Sequence, residues 1–258
     1  MRSLFRRRPA PPPQIERAPA AIPPGERVYA IGDIHGRLDL MEELLDTIHH
    51  DDSLRGPAQT RIVLLGDLID RGAESAGVVR RAMAGDARFA AFTVLKGNHE
   101  ASLLAVLEGE TRWLTSWLGY GGRAALESWG VTDAVFESRD PLDICTAAAR
   151  AVPTDERRWL ADLPTSERIG DYLFVHAGVR PGVPLDNQRE EDLLWIREEF
   201  LEDDSDHGVM VVHGHTISPD PEVRCNRVGI DTGAYRSGTL TALGLEGTQR
   251  WFLATDGG

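Results

Sequence analysis

The chain has 258 residues, 41% hydrophobic and 27% charged, which is ordinary for a globular protein and long enough to bury the core of one large domain. Net charge is −13, and residues 1–27 hold six Arg against two Glu, so the rest is more acidic still. Such a body argues against nucleic acid as a partner, two cysteines are too few for a disulfide framework, and no run approaches the roughly 18 apolar residues of a membrane span.

Residues 1–25 are rich in Pro, Ala and Arg and are predicted to be a disordered or extended tail ahead of one domain over 26–258. The start is basic, as in a signal peptide, but Pro9 to Pro13 stands where an apolar stretch would be needed, so the cytoplasm is the expected compartment. Order begins at the β run Arg27 to Ile31. Apolar residues at Leu38, Met41, Leu44, Leu45 and Ile48 then set a helical period. A buried-strand pattern follows at Arg61 to Leu65, a helix at Ala76 to Ala84 and a third strand at Ala91 to Leu95.

From about 101 to 168 the pattern changes to helices separated by turns, a helical insertion between halves of the sheet structure. Trp113 and Trp117 lie four apart on one predicted helical face. Strand character returns at Tyr172 to Val175 and Val209 to Val212, with a single helix predicted over Glu190 to Leu201. The end reads as a hairpin turning at Glu246-Gly247. Cys145 and Cys225 are expected to be small buried thiols.

Five short segments place metal-binding residue types just beyond the strand-like runs. They are Gly32-Asp33-Ile34-His35-Gly36, Gly66-Asp67-Leu68-Ile69-Asp70-Arg71-Gly72, Gly97-Asn98-His99-Glu100, His176-Ala177-Gly178 and His213-Gly214-His215-Thr216. Each alone has a bland reading as a turn, a surface ion pair or a structural histidine. Together they point to one pocket, because ligands in α/β sheets bind beyond the carboxyl ends of strands. Asp33 and His35 can face the same way, Asp67 can bridge two metals through its two oxygens, and Arg71 offers a planar fork to phosphate. Glu100 reads as a helix-start cap or a supporting partner, and His213 as support. Gly119 to Ala124 loosely fits a dinucleotide-binding glycine pattern, but it follows a Trp-rich helix and not a strand, so it is rejected.

These motifs, in this order, resemble the PPP family of metal-dependent protein phosphatases within the calcineurin-like metallophosphoesterases. Leu193-Leu194-Trp195-Ile196-Arg197 and Ile230-Asp231-Thr232-Gly233-Ala234 resemble its bacterial and phage branch. The resemblance implies an α/β fold, a central β-sandwich flanked by helices. It implies two divalent metal ions, manganese first, with iron or zinc as alternatives. Asp33, His35 and Asp67 would hold one, with Asp67 bridging to a second held by Asn98, His176 and His215. His99 would be the general acid, oriented by Asp70, and Arg71 and Arg197 would grip the phosphoryl oxygens. Intact Asp70 and Glu100 resemble protein phosphatases, so a phosphoserine or phosphothreonine protein is the expected substrate. The alternative is a small phosphate ester, a dinucleoside polyphosphate of the diadenosine tetraphosphate type or a phosphodiester. Tyr235 would stand at the rim.

Overall fold

Val28 and Ala30 point one way from the first strand and Tyr29 and Ile31 the other, and this alternation separates the layers. The computed structural model describes residues 19–138 and 140–256. Its strands are β1 (Glu26–Ile31), β2 (Gln59–Leu64), β3 (Ala91–Val94), β4 (Ser166–Ile169), β5 (Tyr172–Val175), β6 (Met210–His213), β7 (Glu222–Val223), β8 (Arg227–Gly229), β9 (Thr241–Glu246) and β10 (Gln249–Ala254). One sheet has the order β10-β9-β1-β2-β3, the other β4-β5-β6-β8-β7. In the first sheet β1, β2 and β3 are parallel and the β1–β9 and β9–β10 pairings antiparallel; in the second, β5, β6 and β8 are parallel and the outer strands β4 and β7 antiparallel.

The two sheets face each other across Val28, Ala30, Val63, Phe174, Val212 and Leu243, all fully buried. This is the predicted sandwich. The alternate residues of the first sheet, Tyr29, Ile31, Ile62 and Leu64, pack outward on helices α1 (Leu38–Leu54) and α2 (Ser75–Ala84) and on the helical block. That block comprises α3 (Asn98–Leu107), α4 (Thr111–Trp117), α5 (Arg123–Ser128), α6 (Asp133–Phe136), α7 (Pro141–Ala151) and α8 (Thr154–Ala161). The outer face of the second sheet, Leu173, Val175 and Val211, is covered by Leu193, Ile196 and Phe200.

Some boundaries differ from the sequence expectation. Residues 1–18 of the predicted tail lie outside the described residues, but Ile22 is buried in the sandwich core and its N–H donates to the Gly247 carbonyl at 2.9 Å. Packed chain therefore begins ahead of residue 26. The single helix predicted over Glu190 to Leu201 is two, α9 (Glu190–Trp195) and α10 (Glu198–Leu201), broken where Ile196 and Arg197 leave helical geometry. A third short helix, α11 (Ala234–Ser237), follows a left-handed Gly233. Cys145 is buried as expected, whereas Cys225 is exposed, because it lies in the turn between β7 and β8.

Candidate metal centre and active site

Backbone strain marks the site before any side chain is considered. Among the described residues five non-glycine positions have positive φ: His35 (48°), Asp67 (48°), Asp70 (73°), Arg71 (67°) and His215 (63°). Each such residue costs on the order of 1–3 kcal/mol, and strain of this kind gathers where side chains must be aimed. All five belong to the predicted motifs, in loops beyond β1, β2 and β6. His176 follows β5, and Asn98 and His99 open α3. The loops converge as the topology requires.

Two groups of buried ligand atoms share one residue. His35, Asp67 and His99 form the first and Asp67, His176 and His215 the second, each with ligand atoms within 4.8 Å of one another. Asp67 Oδ2 lies 3.6 Å from His35 Nε2 and 3.8 Å from His99 Nε2, while Oδ1 lies 3.4 Å from His176 Nε2. One oxygen thus faces each group.

The histidines are set as ligands. His35 Nδ1 donates to the Ile69 carbonyl at 2.7 Å and His176 Nδ1 to the Leu65 carbonyl at 2.9 Å, which leaves each Nε2 with a bare lone pair. His35 Nε2 and His215 Nε2 have no hydrogen-bond partner although buried. His176 Nε2 sits among Asn98 Oδ1 (2.8 Å), His215 Nδ1 (3.2 Å) and Asp67 Oδ1. Burial pushes the His35 imidazole down to about 3 and His215 well below its usual value, so both are neutral near pH 7. Lone pairs and carboxylate oxygens turned inward together, without protons between them, fit divalent cations.

Asp33 lies outside both groups. Its carboxylate accepts the His215 N–H at 3.1 Å, and burial together with Asp231 and Asp67 raises its pKa well above the usual range. Asp231 is a site residue that the motifs did not assign. Its carboxyl lies against Asp33, accepts the Gly233 N–H at 2.9 Å, and is pushed up to about 6, chiefly by burial. Asp231 Oδ2 is a further buried atom without a partner. The only signal was its place in the Ile-Asp-Thr-Gly-Ala run.

His99 Nδ1 donates to Asp70 Oδ2 at 2.5 Å, and the Trp117 indole N–H donates to the same oxygen at 2.7 Å. Burial lowers the His99 pKa, but Asp67 and the Asp70 hydrogen bond outweigh it and the net shift is upward. Arg71 Nη2 donates to His99 Nε2 at 3.3 Å, and its guanidinium lies 4.6 Å from the Tyr235 ring centroid. The rejected Gly119 to Ala124 stretch does touch the site. The Gly121 carbonyl accepts the Arg71 N–H at 3.2 Å, and a Cβ on Gly121 would fall 2.5 Å from that nitrogen. Arg197 is exposed, and the break between α9 and α10 lets it reach Thr216 Oγ1 at 3.3 Å. A cavity of about 380 Å³ runs from Arg71, His99 and Arg197 to Trp113, Tyr120 and Trp195.

The model of the calcineurin-like phosphoesterase family matches residues 26–236, most of the chain and every motif above. The chain belongs to that family. Curated relatives of this phosphoesterase include the symmetrical bis(5'-nucleosyl)-tetraphosphatases of Glaesserella parasuis (30% identical, 83% of this chain and 66% of the relative) and Dechloromonas aromatica (32%, 63% and 47%). The same name belongs to a relative from Acidovorax ebreus (35%, 60% and 44%). The chain thus spans between under half and about two thirds of these relatives' length. Among solved structures, a provisionally assigned diadenosine tetraphosphatase aligns over 94% of this chain and 100% of its own, with TM-score 0.62 and 23% identity. A cold-active protein tyrosine phosphatase aligns over 90% and 81%, with TM-score 0.53 and 18% identity. Both likenesses bear on the fold.

Within this phosphoesterase Glu100 resolves the choice between cap and support in favour of both. Its carboxylate accepts the N–H groups of Gly97 (2.7 Å), Asp67 (2.9 Å) and Leu68 (2.8 Å), tying the start of α3 to the loop that carries Asp67. Burial and the Asp67 charge push its pKa up to about 7. Glu100→Ala would leave three buried donors without partners, each worth about 1–3 kcal/mol. With partial relaxation we expect a stability loss of about 2–5 kcal/mol, read by urea denaturation. A loss below about 1 kcal/mol would mean that water replaces the carboxylate. Among the described residues no helix is long and apolar enough to cross a membrane.

Proposed function

We propose that the chain hydrolyses dinucleoside polyphosphates of the diadenosine tetraphosphate type, with cleavage at the central bridge releasing two nucleoside diphosphates. The observation that carries this reading is the kinship with symmetrical bis(5'-nucleosyl)-tetraphosphatases, which extends over 83% of the chain for the Glaesserella parasuis protein. The geometry adds nothing to the case for a phosphoprotein. Asp70 and Glu100, whose motif resemblance favoured that substrate, are both wholly buried, one on His99 and the other on loop backbone. Neither lines the cavity, so neither meets a substrate directly.

Two divalent ions would be held by Asp33, His35 and Asp67 and by Asp67, Asn98, His176 and His215, and the mixed carboxylate, amide and imidazole donors suit manganese, iron or zinc. When bound, they supply an activated water near neutral pH and neutralise phosphoryl charge. Arg71 and Arg197 bind the phosphate oxygens from the open side, where a planar guanidinium can hold two at once. A phosphate that draws Arg71 away frees His99 Nε2, which then holds the proton for the departing oxygen. Asp70 and Trp117 fix the ring so that this nitrogen faces the reaction.

The test is a comparison of kcat/KM for diadenosine tetraphosphate, a phosphothreonine peptide and a nitrophenyl phosphodiester with metal-loaded protein. Diadenosine tetraphosphate should lead by about 10²-fold or more, the scale on which binding contacts discriminate substrates. A faster peptide reaction would return the assignment to protein phosphatase.

A further inference from the structure

The wall of the cavity opposite the arginines is aromatic in a way the chemistry so far does not use. Trp117, inward on α4, serves Asp70. Trp113, one turn earlier, is 42% exposed, and Trp195 at the end of α9 is 41% exposed. Their rings stack with centroids 6.4 Å apart and planes 22° from parallel. Two tryptophans that merely shield each other would leave less apolar surface in water. The pair is also bounded on both sides. The cavity of about 380 Å³ on one side is shared with Arg71 and Arg197, and a second of about 490 Å³ is bounded by Ala101, Ala105, Glu191 and the same two rings.

Arg71 and Arg197 bring two guanidinium groups to the metal end, while at the tryptophan end Glu191 borders the second cavity and the Arg112 guanidinium lies 5.5 Å from the Trp113 ring centroid. Phosphates belong at the first end, and the second suits a flat uncharged group. We propose that Trp113 and Trp195 form the platform on which a purine base of the substrate stacks while its phosphates lie against Arg71 and Arg197. This rests on the dinucleoside polyphosphate reading and names the residues that recognise the nucleoside. The bland alternative is a structural contact between the insertion and α9.

Base stacking on an aromatic side chain is worth enough that its loss should be plain in KM. Trp113→Ala should raise KM for diadenosine tetraphosphate by about 5- to 100-fold with kcat within about threefold, and Trp113→Phe should recover most of the loss. The inhibition constant of inorganic tripolyphosphate, which has no base, should stay within about twofold in the same variants. A KM unchanged in Trp113→Ala, or an equal loss for tripolyphosphate, overturns the platform. Quenching of tryptophan fluorescence by adenosine triphosphate separates this idea from the activity itself. If wild-type protein fails to turn over diadenosine tetraphosphate yet shows quenching that Trp113→Ala abolishes, the platform stands and the reaction is another. Absence of quenching in wild type sinks the platform whatever the reaction.

Discussion

Asp67→Asn should take the metal content of the purified protein from two divalent ions per chain to one or none, and turnover should fall by at least about 10²–10³, the cost of one well-placed electrostatic group. The reason lies in its two oxygens. Oδ2 faces His35 and His99, Oδ1 faces His176 and accepts the His99 N–H at 3.0 Å, and no other residue is common to both ligand groups. Asparagine keeps the shape and one acceptor but turns an NH₂ group toward the other cation. The substitution also removes the one carboxylate that the two groups share. Metal analysis after dialysis decides the matter. Two retained ions with wild-type turnover would show that the groups do not share Asp67 as a bridge.

The loops of the candidate metal centre were readable because each follows a strand whose apolar run ends in Gly, Asp or His, a local pattern with a topological consequence. Asp33, Asp67, Asn98 and His176 come from four different loops, and parallel strands bring such ends together without further instruction. What the sequence hid depends on contacts between distant residues. Trp117 reaches Asp70 across 47 positions, and Gly121 meets Arg71 only after the insertion folds back over the loop beyond β2. The helical period places Trp117 on a face and the glycine pattern marks Gly121, but neither signal names Asp70 or Arg71 as the partner. Strands β4, β7 and β8 were missed because they are short, two of them are edges, and Ser166 to Arg168 is half exposed and polar. The choice of substrate class leaned on Asp70 and Glu100, whereas the named relatives favour the small phosphate ester given as the alternative. A motif reports what holds the site together, and Asp70 and Glu100 belong to that interior. The residues proposed to meet a substrate are Arg71 beyond β2, Trp113 on the insertion, and Trp195 and Arg197 at the α9–α10 break, and of these Trp113 belongs to no motif.

His99→Ala should separate the two substrate classes by the leaving group. A seryl or threonyl ester departs as an alkoxide, a base on the order of hydroxide, whose conjugate acid has pKa about 15.7. Without a proton delivered to that oxygen the rate on a phosphothreonine peptide should drop by about 10²–10⁴. A nucleoside diphosphate departs through a terminal phosphate oxygen whose pKa is about 6, so it leaves as a stable anion and needs little proton transfer. On diadenosine tetraphosphate the same variant should lose only about tenfold or less from this cause. Asp67 and Asp70 raise the pKa of His99, so its protonated form is present below that pKa and is lost as pH rises through it. The peptide reaction should therefore fall on the alkaline side while the polyphosphate reaction stays flatter. His99 also stands in the first ligand group, so the comparison requires variants with matched metal content. Equal losses on both substrates at equal metal content would remove His99 as a proton donor and leave it a positioning residue for Asp67 and Arg71.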